Sequence, residues 1–116
     1  MDISDKVVSK LGSDLSNLSN ILRNVEPSNR ISNVRLTTSH SLDREVMRQG
    51  YDAATKALSQ IEGLTIERNF PLAAWIYVSG TAEALVAALE LPGICAAVRE
   101  MPEMFRQAGG TTGLQR

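Results

Sequence analysis

Cysteine, histidine and excess charge of either sign are scarce in this chain, and each scarcity closes off a class of chemistry. A single cysteine, Cys95, excludes an internal disulfide. One histidine and one cysteine cannot make a His/Cys cluster with the spacing of a zinc site. Neither residue suggests catalysis. His40 lies among serines and reads as a loop or capping residue, and Cys95 sits in Ile94-Cys95-Ala96-Ala97-Val98 as a small packing residue. A formal net charge of −1 leaves no basic excess for a nucleic acid. No Gly-Lys-Ser/Thr phosphate loop occurs, and Gly109-Gly110 with Gly113 lacks the strand-to-helix setting that a phosphate cradle requires. Glu100 and Glu103 have no partner in the sequence pattern that would raise a carboxyl pKa. No metal, cofactor or active site is expected, and the chain reads as a non-enzyme. No apolar run approaches the roughly 18 residues needed to span a bilayer. The N-terminus shows no basic stretch followed by an apolar one, so the cytoplasm is the expected location.

What is present is a rhythm of apolar residues in three regions. Residues 1–26 read as an amphipathic helix with Val8, Leu11, Leu15, Leu18, Leu22 and Val25 at alternating steps of three and four. Such a heptad seam needs a surface. That surface can be the chain's own domain, a second copy in a coiled-coil oligomer, or another protein. Residues 27–33 are polar and read as a hinge. Residues 101–116, with Pro102 and three glycines, read as a flexible tail.

Residues 34–100 carry the domain. Val34 to Thr38 alternates as a strand. Ser39 or Ser41 can cap a helix from about Leu42 to Ile61, and Gly63 closes it. Leu64 to Phe70 alternates again, and Pro71 breaks it. Ala74 to Val78 makes a third strand, and Ser79-Gly80 turns the chain. Thr81 caps a helix over Ala82 to Leu89, and Ile94 to Arg99 forms the fourth strand. The order βαββαβ predicts an α+β fold, the ferredoxin-like sandwich, with a four-stranded antiparallel sheet and both helices on one face.

Strict alternation would turn Val34, Leu36, Leu64, Ile66, Ala74, Ile76, Val78, Ile94, Ala96 and Val98 toward the helices. Arg35, Thr37, Thr65, Glu67, Trp75, Tyr77, Cys95 and Ala97 would then lie on the open face. Aromatic residues in a neutral, small-residue surround mark an interface, so Trp75, Tyr77, Cys95 and Ala97 are the candidate partner-binding residues. The leucine stripe of the N-terminal helix is the competing cover for that face. RNA recognition motifs share this topology and stack bases on sheet aromatics. Here the first strand, Val34-Arg35-Leu36-Thr37, offers no ring, so a nucleic-acid partner is disfavoured.

From Val34 to about Pro102 the chain resembles the subtilisin propeptide-like peptidase inhibitor family. The resemblance lies in the order of elements, in Leu64-Thr65-Ile66-Glu67-Arg68-Asn69-Phe70, in a third strand ending at Gly80, and in Leu91-Pro92-Gly93-Ile94-Cys95-Ala96-Ala97-Val98-Arg99-Glu100. It implies an open sheet face that packs on a subtilisin-like serine protease. It also implies a cleft-binding tail formed by Arg99, Glu100, Met101, Pro102, Glu103, Met104 and Phe105. The expected function is a stand-alone inhibitor or binding partner of an intracellular protease of that kind. The alternative is an adaptor that oligomerises through its N-terminal helix and binds a larger complex.

Overall fold

A computed structural model of the chain describes residues 1–11 and 18–100. Two short helices, α1 (Asp5–Leu11) and α2 (Leu18–Asn24), precede β1 (Arg30–Thr38). Then come α3 (Arg44–Ser59), β2 (Leu64–Phe70), a 3-10 turn (Pro71–Ala73), β3 (Trp75–Thr81), α4 (Ala82–Leu89) and β4 (Ile94–Arg99). The fold is α+β. β1 pairs antiparallel with both β3 and β4, and β2 pairs antiparallel with β3, giving the strand order β2-β3-β1-β4.

The caps show why the two long helices begin where they do. Asp43, and not Ser39 or Ser41, is the N-cap of α3, with its carboxylate accepting from the amides of Glu45 and Val46. A carboxylate there satisfies orphan amides and also meets the positive end of the helix dipole. Ser41 serves one step earlier, its hydroxyl accepting from the Asp43 amide at 3.1 Å. α4 starts as expected, with Thr81 Oγ1 accepting from the Ala84 amide at 3.2 Å.

Two irregularities decide which residues face which way. In β4, Ile94 pairs with Thr38, but the next pairs are Ala96 with Thr37 and Ala97 with Leu36. Cys95 is the extra residue of this bulge, and a one-residue slip exchanges the faces of everything after it. Ala97 is therefore buried, 1% exposed, and lies with Leu36 in the core instead of on the open face. Ala96 and Val98, expected inward, share the face of Thr37 and Arg35. In β2 the register shifts between Ile66 and Arg68, so Arg68 pairs with Tyr77 and Phe70 with Trp75.

Gly80 does not turn the chain; it lies inside β3, opposite Leu64. A Cβ at this position would meet the Gly63 carbonyl oxygen and stand 3.0 Å from Leu64 Cα. Neither atom is the movable end of a side chain. We expect Gly80→Ala to lower unfolding free energy by about 1–3 kcal/mol, the usual cost of overpacking. Urea denaturation should show a reduced midpoint, and an unchanged midpoint would mean the β2–β3 spacing relaxes freely.

One core gathers the whole described chain. Val34, Leu36, Ile76, Val78, Ile94 and Ala97 from the sheet meet Tyr51, Ala54 and Leu58 of α3 and Leu85, Ala88 and Leu89 of α4. Val7, Leu11, Leu18 and Leu22 belong to the same cluster. In place of one helix over residues 5–25 there are two, each contributing an i,i+4 pair to the interior. Val7 takes the buried place expected of Val8, which is half-buried, as is Val25. Leu15 lies outside the described residues.

The N-terminal segment is tied down by polar contacts as well. Lys10 Nζ donates to the carbonyls of Leu89 (2.7 Å) and Leu91 (2.8 Å), and burial pulls its pKa below the usual lysine range. The stretch 27–33 does more than hinge. The amides of Ala82 and Glu83 donate to the carbonyls of Asn29 and Pro27, and β1 already begins at Arg30.

Candidate functional site on the open sheet face

The face of the sheet turned away from the core carries rings and guanidinium groups in contact. Pairing sets the array. Arg35 is opposite Tyr77, and Thr37 opposite Trp75. Arg68 and Phe70 flank the same two aromatics from β2. The Phe70 and Tyr77 rings meet edge-on at 5.5 Å and 75°. Arg35 Cζ lies 4.2 Å from the centroid of the Trp75 ring. Arg68 Cζ lies 4.5 Å from the Tyr77 centroid and 5.7 Å from that of Phe70. Contacts of this kind contribute about 0.5–1 kcal/mol each at exposed sites and more once water is excluded.

A carboxylate closes one side of the array. Glu100 Oε2 accepts from Arg35 Nη1 and from the Tyr77 hydroxyl, both at 3.1 Å. The Glu100 amide donates to the Asn33 carbonyl at 2.7 Å. Each side chain of the Arg35–Glu100 pair is about a quarter exposed, 26% and 24%, which shields it from solvent better than an ordinary surface pair. Arg35 Nε is buried without an acceptor. Tyr77 is covered by these neighbours to 8% exposure, while Phe70 keeps 41%. Trp75 is half-buried.

The array is held from behind by α3. The Tyr51 hydroxyl lies 2.9 Å from the Trp75 carbonyl oxygen and 3.0 Å from Asn69 Oδ1. Burial pushes this phenol above its ordinary pKa. The start of β3 is thereby pinned to the helix layer, which fixes where Trp75 stands.

Of the four sheet residues expected to bind a partner, Trp75 and Tyr77 stand together on this face. Cys95 is exposed at the β4 bulge, its Sγ 3.1 Å from the Ser39 hydroxyl. Ala97 is in the core. Arg99 Nε donates to the Ser32 carbonyl at 3.2 Å, and Glu100 joins the array. Met101, Pro102, Glu103, Met104 and Phe105 lie outside the described residues. The helix seam does not cover the open face, because Leu11, Leu18 and Leu22 are buried in the core with α4.

Arg68 and Phe70 were not anticipated. Alternation from Leu64 assigns both to the helices, and only the bulge at Glu67 turns them over. Glu67 itself accepts from the Ser79 hydroxyl at 3.0 Å.

A second surface feature lies where the β1–α3 connection meets the 3-10 turn. Leu42, Met47, Tyr51, Pro71 and Leu72 line a groove of about 660 Å³, with Leu42 and Leu72 almost fully exposed. His40, Arg44 and Arg48 also line it. Arg48 is paired with Glu45 at 2.9 Å, which holds that carboxyl below its usual pKa. Among the described residues no group of three or more His, Cys, Asp or Glu could hold a metal ion, and no helix is long and apolar enough to cross a membrane. No family model, no curated protein and no solved structure matches the chain.

Proposed function

We propose that this chain is a non-catalytic protein-binding module that docks a partner on its open sheet face. The observation that carries this reading is the cluster of Phe70, Trp75 and Tyr77 with Arg35 and Arg68, on a face that the buried leucines of α1 and α2 leave uncovered. Trp, Tyr and Arg are the residues that dominate interface energetics, and here they are already stacked into one conformation. Little side-chain freedom remains to be lost on binding.

We infer further that the fold is ferredoxin-like. The antiparallel order β2-β3-β1-β4 supports this, with α3 joining β1 to β2 and α4 joining β3 to β4. The partner that agrees with this fold and with the resemblance of residues 34–102 is a cytoplasmic, subtilisin-like serine protease. In this reading the sheet face docks on the protease, and the segment from Arg99 onward occludes its cleft. Glu100 supports it, since Arg35 and Tyr77 hold that residue at the rim of the face. The reading needs no cofactor. Oligomerisation through the helix seam gains no support, because the described leucines of the seam are already buried within the chain.

The test is a titration of the full chain into a subtilisin-type protease, with peptide hydrolysis as the readout. Activity should fall with a one-to-one end point, and a version ending at Glu100 should bind but inhibit less. Unchanged hydrolysis together with no complex on gel filtration would sink the proposal.

A further inference from the structure

We infer that Arg68 is the residue by which the open face selects its partner, and that the partner presents a single carboxylate to it, from an aspartate or glutamate side chain. The inference rests on the docking reading above and names the chemistry of what docks. Two arginines lie on rings here, and they differ in one respect. Arg35, above Trp75, donates from Nη1 to Glu100 Oε2 at 3.1 Å, although its Nε is left without an acceptor. Arg68, above Tyr77 and Phe70, has only the rings. Among the described residues no oxygen accepts from its guanidinium.

Rings hold a guanidinium by its flat face and leave the five N–H groups along its edge to find acceptors elsewhere. The adjacent carboxylate, Glu67, does not supply one, because it is turned to the Ser79 hydroxyl. The molecule thus contains one ring–arginine unit that has a carboxylate beside one that has none among the described residues.

Next to the Arg68 unit lies a pocket of about 140 Å³, lined by Ser32, Asn33, Glu67, Arg68, Tyr77 and Ser79. It has the size of a carboxylate head with a methylene or two, and its wall is about equally polar and apolar, with Val78 also lining it. Glu67 at its edge disfavours a polyanion. One carboxylate meeting one fork is the fit, as in bidentate arginine pairs generally. Because the rings already fix the guanidinium, little of its rotamer freedom is spent on the contact.

The test uses the full chain labelled with ¹⁵N and two capped peptides, one alternating alanine and glutamate, the other alanine and glutamine. The acidic peptide should shift the Arg68 Nε–H and Ser79 amide resonances saturably, and the glutamine peptide should not. Arg68 is exposed, so Arg68→Gln should lower the thermal midpoint only modestly, through the two ring contacts it gives up, while weakening acidic-peptide affinity by about tenfold or more, the scale of a lost charged hydrogen bond. Arg68→Lys should recover only part of that loss, because a point charge lacks the planar fork. Equal shifts with both peptides, shifts that survive Arg68→Gln, or tighter binding of oligothymidylate at the same resonances would each overturn the inference. A protease complex that forms equally well with Arg68→Gln overturns it too, while leaving the docking reading intact. Glutamate-peptide binding at Arg68 with no protease complex does the reverse.

Discussion

Replacing Leu22 by alanine should cost about 2–5 kcal/mol of unfolding free energy, the range for emptying a buried leucine site. Leu22 is 0% exposed and shares the core with Val7, Leu11, Leu18 and the residues of α4. The removed methyl groups lose their transfer free energy, and the two flanking helices cannot easily close the gap. α1 is anchored through Lys10, and the amino group of Met1 donates to the Arg23 carbonyl at 2.8 Å. Urea unfolding of the purified variant measures the cost. A seam that served only a second copy or another protein would behave differently, with Leu22→Ala leaving monomer stability unchanged and abolishing association. Sedimentation of the same sample separates the two outcomes.

Trp75→Ala should act in the opposite place. We expect affinity for a docked protease to drop by about 30-fold or more, the size of an interface hot spot. Stability should fall much less, by about 1–2 kcal/mol, from the lost stack with Arg35 and the lost half of its burial. Calorimetric binding and denaturant unfolding on one preparation give both numbers. Intact binding together with a stability loss as large as that of Leu22→Ala would place Trp75 in the core's service and remove the open face as the docking surface.

The strands and helices were legible because their periods are simple. Leu36, Ile76 and Val78 alternate inward as expected, and Tyr51, Ala54 and Leu58 mark one side of α3. What alternation could not reveal is a residue that does not count. Cys95 and Glu67 are each the extra member of a bulge, and nothing in their side chains announces it. Past those points the faces exchange, so alternation places Ala97 on the surface and Arg68 and Phe70 in the core, the reverse of where they lie. Alanine gives no hydrophobic signal strong enough to reveal the slip.

The N-terminal region departs from its sequence pattern for a different reason. Steps of three and four suit a long coiled-coil helix, and two short helices folded onto a core satisfy most of the same positions. Three good acceptors, Ser39, Ser41 and Asp43, stand before α3, and periodicity does not distinguish among them; Asp43 takes the cap and Ser41 the turn before it.

The bonds at the two ends of α4 carry a dynamic consequence. Its first amides give their hydrogens to carbonyls just before β1, and its last turn receives the ammonium of Lys10. Fraying at either end therefore requires the N-terminal segment to let go, so helix and segment open as one cooperative unit. That unit lies on the core side of the sheet, away from the rings and guanidinium groups. Breathing of the N-terminal region and capture of a partner can therefore proceed on opposite sides of one sheet without either disturbing the other.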